Sequence, residues 1–473
     1  MAVVGAGAAG LAAAIFTARR RPKLTIVALD GARKIGAKIL ISGGGRCNVT
    51  NAVVTAADFQ GGSPNAVRRV LNSFTVEQTV AFFREIGVEL HEEPPDRKLF
   101  PNTNSAKTVL AALLAEAERC GVQIRSGYRV TGVSVAPGGF EIVRERAAGR
   151  DSRERACETG FSHERACETG FSPERDSRER ACETGFSHEL RGFSHERAES
   201  SHELAGLAHE HTTIKARRVV IATGGRSLPK TGSDGGGYEL VQRLGHMIVP
   251  TVPALAPLVL DGEFHAPLSG VTHDVAITLK VEGQRPTRWP GSMVWTHFGI
   301  SGPAAMNASG AWHRARLEER PITVSCSFLP GDDFAGAERK LLDIAASHPR
   351  SALHNALERL IPARLGIAVL AKLGIDGQTV MAQLSREHRR RLIHALLEWP
   401  MPVRDSRGYA YAEVTSGGVP LDEINPATME SRTCPGLYLV GEILDVDGRI
   451  GGFNFQWAWS SAWVAASSMT QET

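Results

Sequence analysis

No stretch of about 18 consecutive apolar residues occurs in the 473-residue chain, so no membrane-spanning helix is expected. A long basic run is missing too. The 54 Lys+Arg stand against 51 Asp+Glu, and the resulting formal charge of +3 is spread along the sequence. That balance gives no electrostatic footprint for nucleic acid or anionic lipid. The expected partner is therefore a small molecule, with no nucleic acid and no membrane. Cysteine is scarce: seven residues at irregular spacing, three of them (Cys157, Cys167, Cys182) inside a repeated segment. Neither a disulfide framework nor a zinc pattern can be read from them, and a reducing cytoplasm fits. The apolar opening MAVVGAGAAGLAAAIFTARRR has no basic stretch ahead of it and carries Arg19, Arg20 and Arg21 behind it, the wrong order for a secretory signal. Aromatic residues are 6% of the chain, yet they crowd into its last stretch as FNFQWAW. At this length the chain has room for two or three domains and a buried ligand.

Glycine is plentiful, 49 residues, and its placement carries the first functional signal. Residues 1–30 read as strand, tight turn, helix to about Ala18, and strand, a βαβ opening that points to an α/β fold with a Rossmann-like sheet. The turn is Gly5-Ala6-Gly7-Ala8-Ala9-Gly10. Its first glycine permits the turn, the second lets backbone approach a pyrophosphate, and the third lets helix and sheet pack. Asp30 follows Gly10 by 20 residues, at the end of the second strand, where a carboxylate can accept from ribose hydroxyls. Directly after it, GAKILISGGGRCNVTN combines flexible backbone at Gly43, Gly44 and Gly45 with donors at Lys38, Ser42, Arg46, Asn48 and Asn51. Cys47 inside this stretch reads as a packed rather than a catalytic thiol.

Further along, TVEQTVAFFREIG carries a capping box at Thr75 and Gln78 and a Gly87 stop, and SAKTVLAALLAEAERCG repeats the pattern from Ser105 to Gly121. VQIRSGYRVTGVSV and GFEIV read as strands. Residues 151–211 are an internal repeat of RACETGFSHE and its variants. Its six histidines and three cysteines match no compact ligand set, so no metal is expected, and the segment reads as an insertion in a surface loop. From about 251 the texture changes: THDVAITLKVEG and ITVSCSFLP are strands of a barrel or sandwich, 333–399 is helical, and YAEVTSGGV is a strand before the return to a sheet at GLYLVGE.

Six ordered stretches, GAGAAG, SGGGRCNVTN, KLFPNTNSAKTV, ATGGRSLPKTGSDGGGYELVQRLGH, THFGISGP and GEILDVDGRIGGFNFQWAW, together resemble the BaiN-like family of NAD(P)/FAD-dependent oxidoreductases, some of whose members carry the name aminoacetone oxidase. The resemblance implies a flavoprotein of the glutathione-reductase-like two-dinucleotide superfold. Residues 1–250 and 430–473 would form the FAD-binding domain. Residues 251–429 would form an insert, β-barrel over 251–332 and 400–429 and helical over 333–399. It implies FAD contacts at the residues above and at Ala8, Ala9, Val130, Thr223, Gly224 and Gly225. At the C-terminal end the contacts would be Gly441, Glu442, Asp447, Gly451, Gly452, Phe453 and Asn454. The Glu442 carboxylate would lie by the ribityl chain and pyrophosphate, and Gly451-Gly452-Phe453-Asn454 would start a helix facing the flavin. Trp457 and Trp459 read as core. The repeat segment and the short first strand depart from the family pattern.

The implied activity is hydride transfer between NAD(P)H, flavin and a small organic substrate, with reduction of an activated C=C bond as the expectation. No second complete GxGxxG unit is present, so NAD(P)H would bind transiently. Two rival readings are an oxidase of an amine or amino ketone, and a flavin-binding scaffold or RNA-associated flavoprotein. His297, with Ser301 and Gly302 beside it, is the expected residue near the substrate, and His246 reads as a helix cap. Oligomeric state is not set by the sequence.

Overall fold

The computed structural model describes residues 1–144 and 213–470. The repeat read over 151–211 lies outside them.

The first strand, Ala2–Val4, is buried and pairs in parallel with Val27–Leu29 on one side and Val219–Ile221 on the other. Gln123–Arg125 and Leu437–Leu439 extend this parallel sheet at its two sides. Two short antiparallel strands, Glu430–Ser431 and Ile424–Asn425, finish the edge beyond Leu437–Leu439. The insert boundary expected at 429 thus overruns into this sheet; a two-residue strand leaves no periodicity for the sequence to show. All-parallel pairing at the centre accounts for the continuous apolar runs AVV, VVI and LYL, since such strands are covered on both faces.

Two helices pack together over one face, the N-terminal Ala8–Arg20 and the C-terminal Phe453–Thr470. Both helices are rich in small buried residues, Ala12, Ala13 and Ala14 on one and Ala462, Ala465 and Ala466 on the other. A ring cluster closes one end: Phe16 meets Phe74, Phe82 and Trp463 at centroid distances of 5.3, 4.9 and 5.1 Å. The capping box is formed as expected, with Thr75 and Gln78 bonded reciprocally. Ser105 occupies the N-cap of Ala106–Arg119, but its side chain makes no capping bond.

A second hydrophobic core lies in an antiparallel sheet of seven strands. Their order is Trp399–Pro400, Ile322–Ser327, Thr272–Val281, Thr287–Thr296, Gly299–Ser301, Leu258–Leu260 and Val403–Ser406. The two edge strands, Trp399–Pro400 and Val403–Ser406, are separated in the chain by Met401 and Pro402 alone, so the sheet curls until its edges meet. Val275, Ile277 and Leu279 are fully buried. Pro303–Leu317 packs on this sheet, and Phe334–Ser347, Leu353–Leu357, Ala363–Leu373 and Arg386–Leu397 follow as a helical cluster. A ribbon made of Val249–Ala254 and Val414–Gly418 connects the two regions.

Candidate functional site

The three opening glycines are each required for a different reason. Gly5 has φ +97°, and a Cβ there would collide with the carbonyl of Ala222. A Cβ at Gly10 would collide with the carbonyl oxygen of Gly5, so this glycine lets helix and turn pack. Gly7, the N-cap of Ala8–Arg20, has ordinary φ −77° and nothing within 4 Å of its Cβ position. It faces a cavity of about 740 Å³, within the roughly 300–1,000 Å³ usual for ligand sites.

Strand ends and helix starts from distant parts of the chain line this cavity. Gly5, Gly7, Ala8 and Ala9 line it at the first turn, Asp30 at the end of the second strand, and Val130, Thr223 and Gly224 beside them. Lys38, Ser42, Gly43, Gly44, Arg46 and Asn48 contribute a further wall, and Gly441, Glu442, Gly451, Gly452 and Asn454 the C-terminal one. Gly43, Gly44 and Gly45 all take positive φ (+56°, +68°, +85°), a run only glycine adopts readily. Gly452, at φ +93°, is pressed on Thr50, whose backbone a Cβ would strike, and the C-terminal helix begins immediately after it.

Several predicted contacts turn out to brace the walls. The Asp30 carboxylate accepts the N–H groups of Ala6 (2.7 Å) and Ala32 (2.8 Å), fixing the glycine turn, with lone pairs left for a ligand. Glu442 is the centre of a junction: it accepts from Lys38 Nζ (2.5 Å), Ser227 Oγ (2.8 Å) and the Thr415 N–H (2.8 Å). Arg46 forks onto Glu93 (2.6 and 3.1 Å) and lies 3.9 Å above the Phe100 ring. Asn454 exchanges two hydrogen bonds with the Gly448 peptide, both 2.8 Å. Asn48 differs from these: its buried Oδ1 has no partner, and its residue faces the cavity.

Six expected contacts do not line the cavity. Gly10 and Gly225 lie behind it, packed on Gly5 and on Thr415; Gly45 is exposed. Asn51 donates to the carbonyls of Asp96 and Gly451, a brace between segments. Phe453 is buried under Gly448 with Arg449 over its ring. Asp447 borders a separate cavity of about 90 Å³, where burial pushes its carboxyl up to about 7.

His297 is exposed in the turn between Thr287–Thr296 and Gly299–Ser301, edge-on to Phe298, and does not line the cavity. The close approach allowed by Gly302 is to the strand backbone at Ser292 and Met293, which seats the start of Pro303–Leu317. His246 is more than a cap: its buried ring lies 2.6 Å from Glu423 and 2.9 Å from Ser431 Oγ. Cys47 is buried, and desolvation pushes its thiol up to about 12, which makes it inert at neutral pH. Trp457 and Trp459 donate to the carbonyls of Gly441 (3.2 Å) and Val49 (3.0 Å). Both are core residues, although Trp457 also touches the cavity.

The sequence reading missed Ser227, Thr415, Tyr411 and Glu413. The last two reach the cavity from the segment that links Val403–Ser406 to Val414–Gly418. Nothing in YAEVTSGGV marked them apart from a strand.

The chain matches the family described as HI0933-like protein Rossmann domain over residues 1–156 and 175–468. It is 30% identical over 470 residues to a ribosomal RNA dihydrouridine synthase of Escherichia coli, covering 99% of this chain and 97% of that one. It is 28% identical over 469 residues to a 3-dehydro-bile acid delta(4,6)-reductase of Clostridium scindens, covering 99% and 98%. Among solved structures, 3-ketosteroid delta1-dehydrogenase from Sterolibacterium denitrificans matches with TM-score 0.46 and 13% identity, covering 99% of this chain and 98% of that one.

Proposed function

From the premise that the chain belongs to the HI0933-like Rossmann family, we propose that it is an FAD-dependent reductase of a C=C bond conjugated to a carbonyl. The observation that carries this reading is the cavity of about 740 Å³. It runs from the glycine turn and Asp30, suited to a ribose and pyrophosphate, to the N-terminus of the C-terminal helix, suited to an electron-accepting ring. The open space at Gly7 and the unpartnered amide of Asn48 fit a dinucleotide there.

The two relatives share one chemistry. A 3-dehydro-bile acid delta(4,6)-reductase acts on C=C bonds of a 3-oxo steroid, and a dihydrouridine synthase saturates the ring C=C of uridine. In both, a hydride adds to one carbon of a carbonyl-activated double bond and a proton to the other. Bound FAD would supply the hydride, replenished by NAD(P)H as a transient co-substrate. The chain's own residues bind and orient: Asp30 and the glycine turn hold the nucleotide end, and the Lys38–Glu442 junction fixes the middle wall. Arg46 on Phe100, with Tyr411, forms a partly aromatic wall for a planar acceptor. Free thiols at Cys47, Cys120, Cys326 and Cys434 suit a reducing cytoplasm.

The test is anaerobic. The purified yellow protein should bleach with NADH or NADPH and regain its colour on addition of a 3-oxo-4,6-diene steroid. Recovery only with oxygen, with peroxide released, would favour the oxidase reading instead. A second acceptor, a uridine-containing oligoribonucleotide, belongs in the same assay because of the name of the Escherichia coli relative. The small net charge weighs against an RNA substrate, and salt-dependent binding of that oligonucleotide would overturn the expectation of no nucleic-acid partner.

A further inference from the structure

Six carboxylates line the main cavity: Asp30, Glu93, Asp96, Asp234, Glu413 and Glu442. Five have partners. Asp30 takes two backbone N–H groups, and Glu442 takes Lys38, Ser227 and Thr415. Glu93, Asp96 and Asp234 are ion-paired with Arg46 (2.6 Å), Lys98 (2.6 Å) and Arg129 (2.7 Å). The Glu413 carboxyl alone makes no hydrogen bond or ion pair among the described residues, although its backbone is pinned on both sides. Its N–H donates to the Leu255 carbonyl (3.1 Å), and its carbonyl accepts from Ser227 Oγ (3.2 Å). The side chain thus hangs from a fixed backbone, at the foot of Val414–Gly418, into the cavity.

We propose that Glu413 is the proton donor of the reductase, the catalytic residue that protonates the carbon next to the carbonyl as hydride reaches the far carbon of the C=C bond. This rests on the reductase reading above. Bound FAD would supply the hydride that forms a C–H bond at the far carbon, and the π electrons form a second C–H bond by taking the carboxyl proton of Glu413. The substrate gains two electrons and two hydrogens, both electrons drawn in the end from a nicotinamide donor by way of the flavin that would be bound, and the Glu413 carboxylate regains its proton from water.

The surroundings favour the protonated form of this carboxyl. Glu413 is exposed where it lines the cavity, and desolvation by the protein packed around its carboxyl raises it above the usual range. The charges of Lys38 and Lys98 pull the other way, but each lysine is already paired, with Glu442 and Asp96. Tyr411, two residues earlier, faces the same cavity, but Arg407 is stacked on its ring at 3.4 Å. That contact suits it to a wall rather than to proton transfer.

The test separates half-reactions in the FAD-loaded enzyme, using whichever acceptor the wild type reduces, the 3-oxo-4,6-diene steroid or the uridine oligoribonucleotide. Glu413→Gln is nearly isosteric and removes no protein hydrogen bond. FAD affinity of the apoprotein, affinity for the saturated product, bleaching by NAD(P)H and reoxidation by oxygen should all stay within about threefold. Reoxidation by the acceptor should fall by about 10²- to 10⁴-fold, the usual worth of a positioned acid. Glu413→Asp keeps an acid on a shorter arm and should fall between the two. Acceptor reoxidation at the wild-type rate in Glu413→Gln would overturn the assignment while leaving the reductase reading in place. A wild type that reduces neither acceptor would take both down.

Discussion

At the scale of single residues, Gly7 and Gly10 have opposite duties although they are three positions apart. A side chain at Gly7 enters empty cavity at an ordinary φ, so Gly7→Val should leave the apoprotein's melting temperature within about 2 °C while abolishing retention of FAD. A side chain at Gly10 meets the carbonyl of Gly5, so Gly10→Ala should lower stability by about 1–3 kcal/mol with or without FAD. Thermal melts of both apoproteins, with flavin absorbance after gel filtration, distinguish the two; a Gly7→Val protein that stays yellow would refute the site. Asp447 makes a pH argument. Burial raises its carboxyl from 3.8 to about 7, the Ser416 hydroxyl opposes this, and the charge of Asp445 adds to it. Between about pH 4 and 7 the folded state therefore binds more proton than the unfolded chain, and this carboxyl lowers stability progressively as pH rises through that window. Asp447→Asn should remove that slope and be more stable than wild type above pH 7, by at most roughly 4 kcal/mol from the size of the shift. Parallel denaturant curves of the two proteins from pH 4 to 8 measure it; identical slopes would mean that Asp447 does not titrate there.

At the scale of elements, the glycines, caps and alternating strands were legible because each is a local rule. GAGAAG fixes a turn wherever it occurs between a strand and a helix, and Thr75 with Gln78 closes a helix on its own. Thr287–Thr296 was not legible: TRWPGSMVWT interrupts its alternation with Pro290 and Gly291, and it is a strand because Thr272–Val281 and Gly299–Ser301 pair with it. The C-terminal helix was readable from its Gly-Gly start, but not the reason for that start, which is the pressure of Gly452 on Thr50. If the N-terminus of this helix faces the electron-accepting ring of the flavin, its partial positive charge favours the anionic reduced form and raises the midpoint potential. Gly452→Ala must shift the helix start and should lower the potential. A terminus effect of about 0.3–2 kcal/mol converts, at about 30 mV per 1.4 kcal/mol, to a drop on the order of 5–40 mV. An equilibrium dye titration of both fully loaded proteins reads it, and an unchanged potential in a folded variant would reduce the helix end to packing.

At the scale of the whole molecule, the cavity is assembled from segments near 4–9, 29–48, 93–100, 128–130, 222–240, 411–414 and 440–458, which come together only in the folded chain. That is why Glu413 could not be found by reading along the sequence. Its distinction is a missing partner, and a missing partner is visible only when five neighbouring acids are seen to have theirs. His297 lies off the cavity for the converse reason, since its motif is taken up by packing between Gly302 and the strand at Ser292 and Met293. The same assembly predicts how the protein responds to its cofactor. If FAD occupies this cavity as proposed, it should stabilise the fold by mass action, by about 2.7 kcal/mol at a free concentration one hundred times its dissociation constant. The gain should be local to the first core. Amide exchange should slow in segments 5–9, 30–48 and 440–458 when FAD is added to apoprotein. Phe334–Ser347 and Ala363–Leu373, which belong to the second core and contribute nothing to the cavity wall, should exchange at unchanged rates. Hydrogen exchange read by mass spectrometry with and without FAD tests this directly. Equal slowing in those two helices would show that the two cores open as one unit, and no slowing at 440–458 would place the cofactor elsewhere.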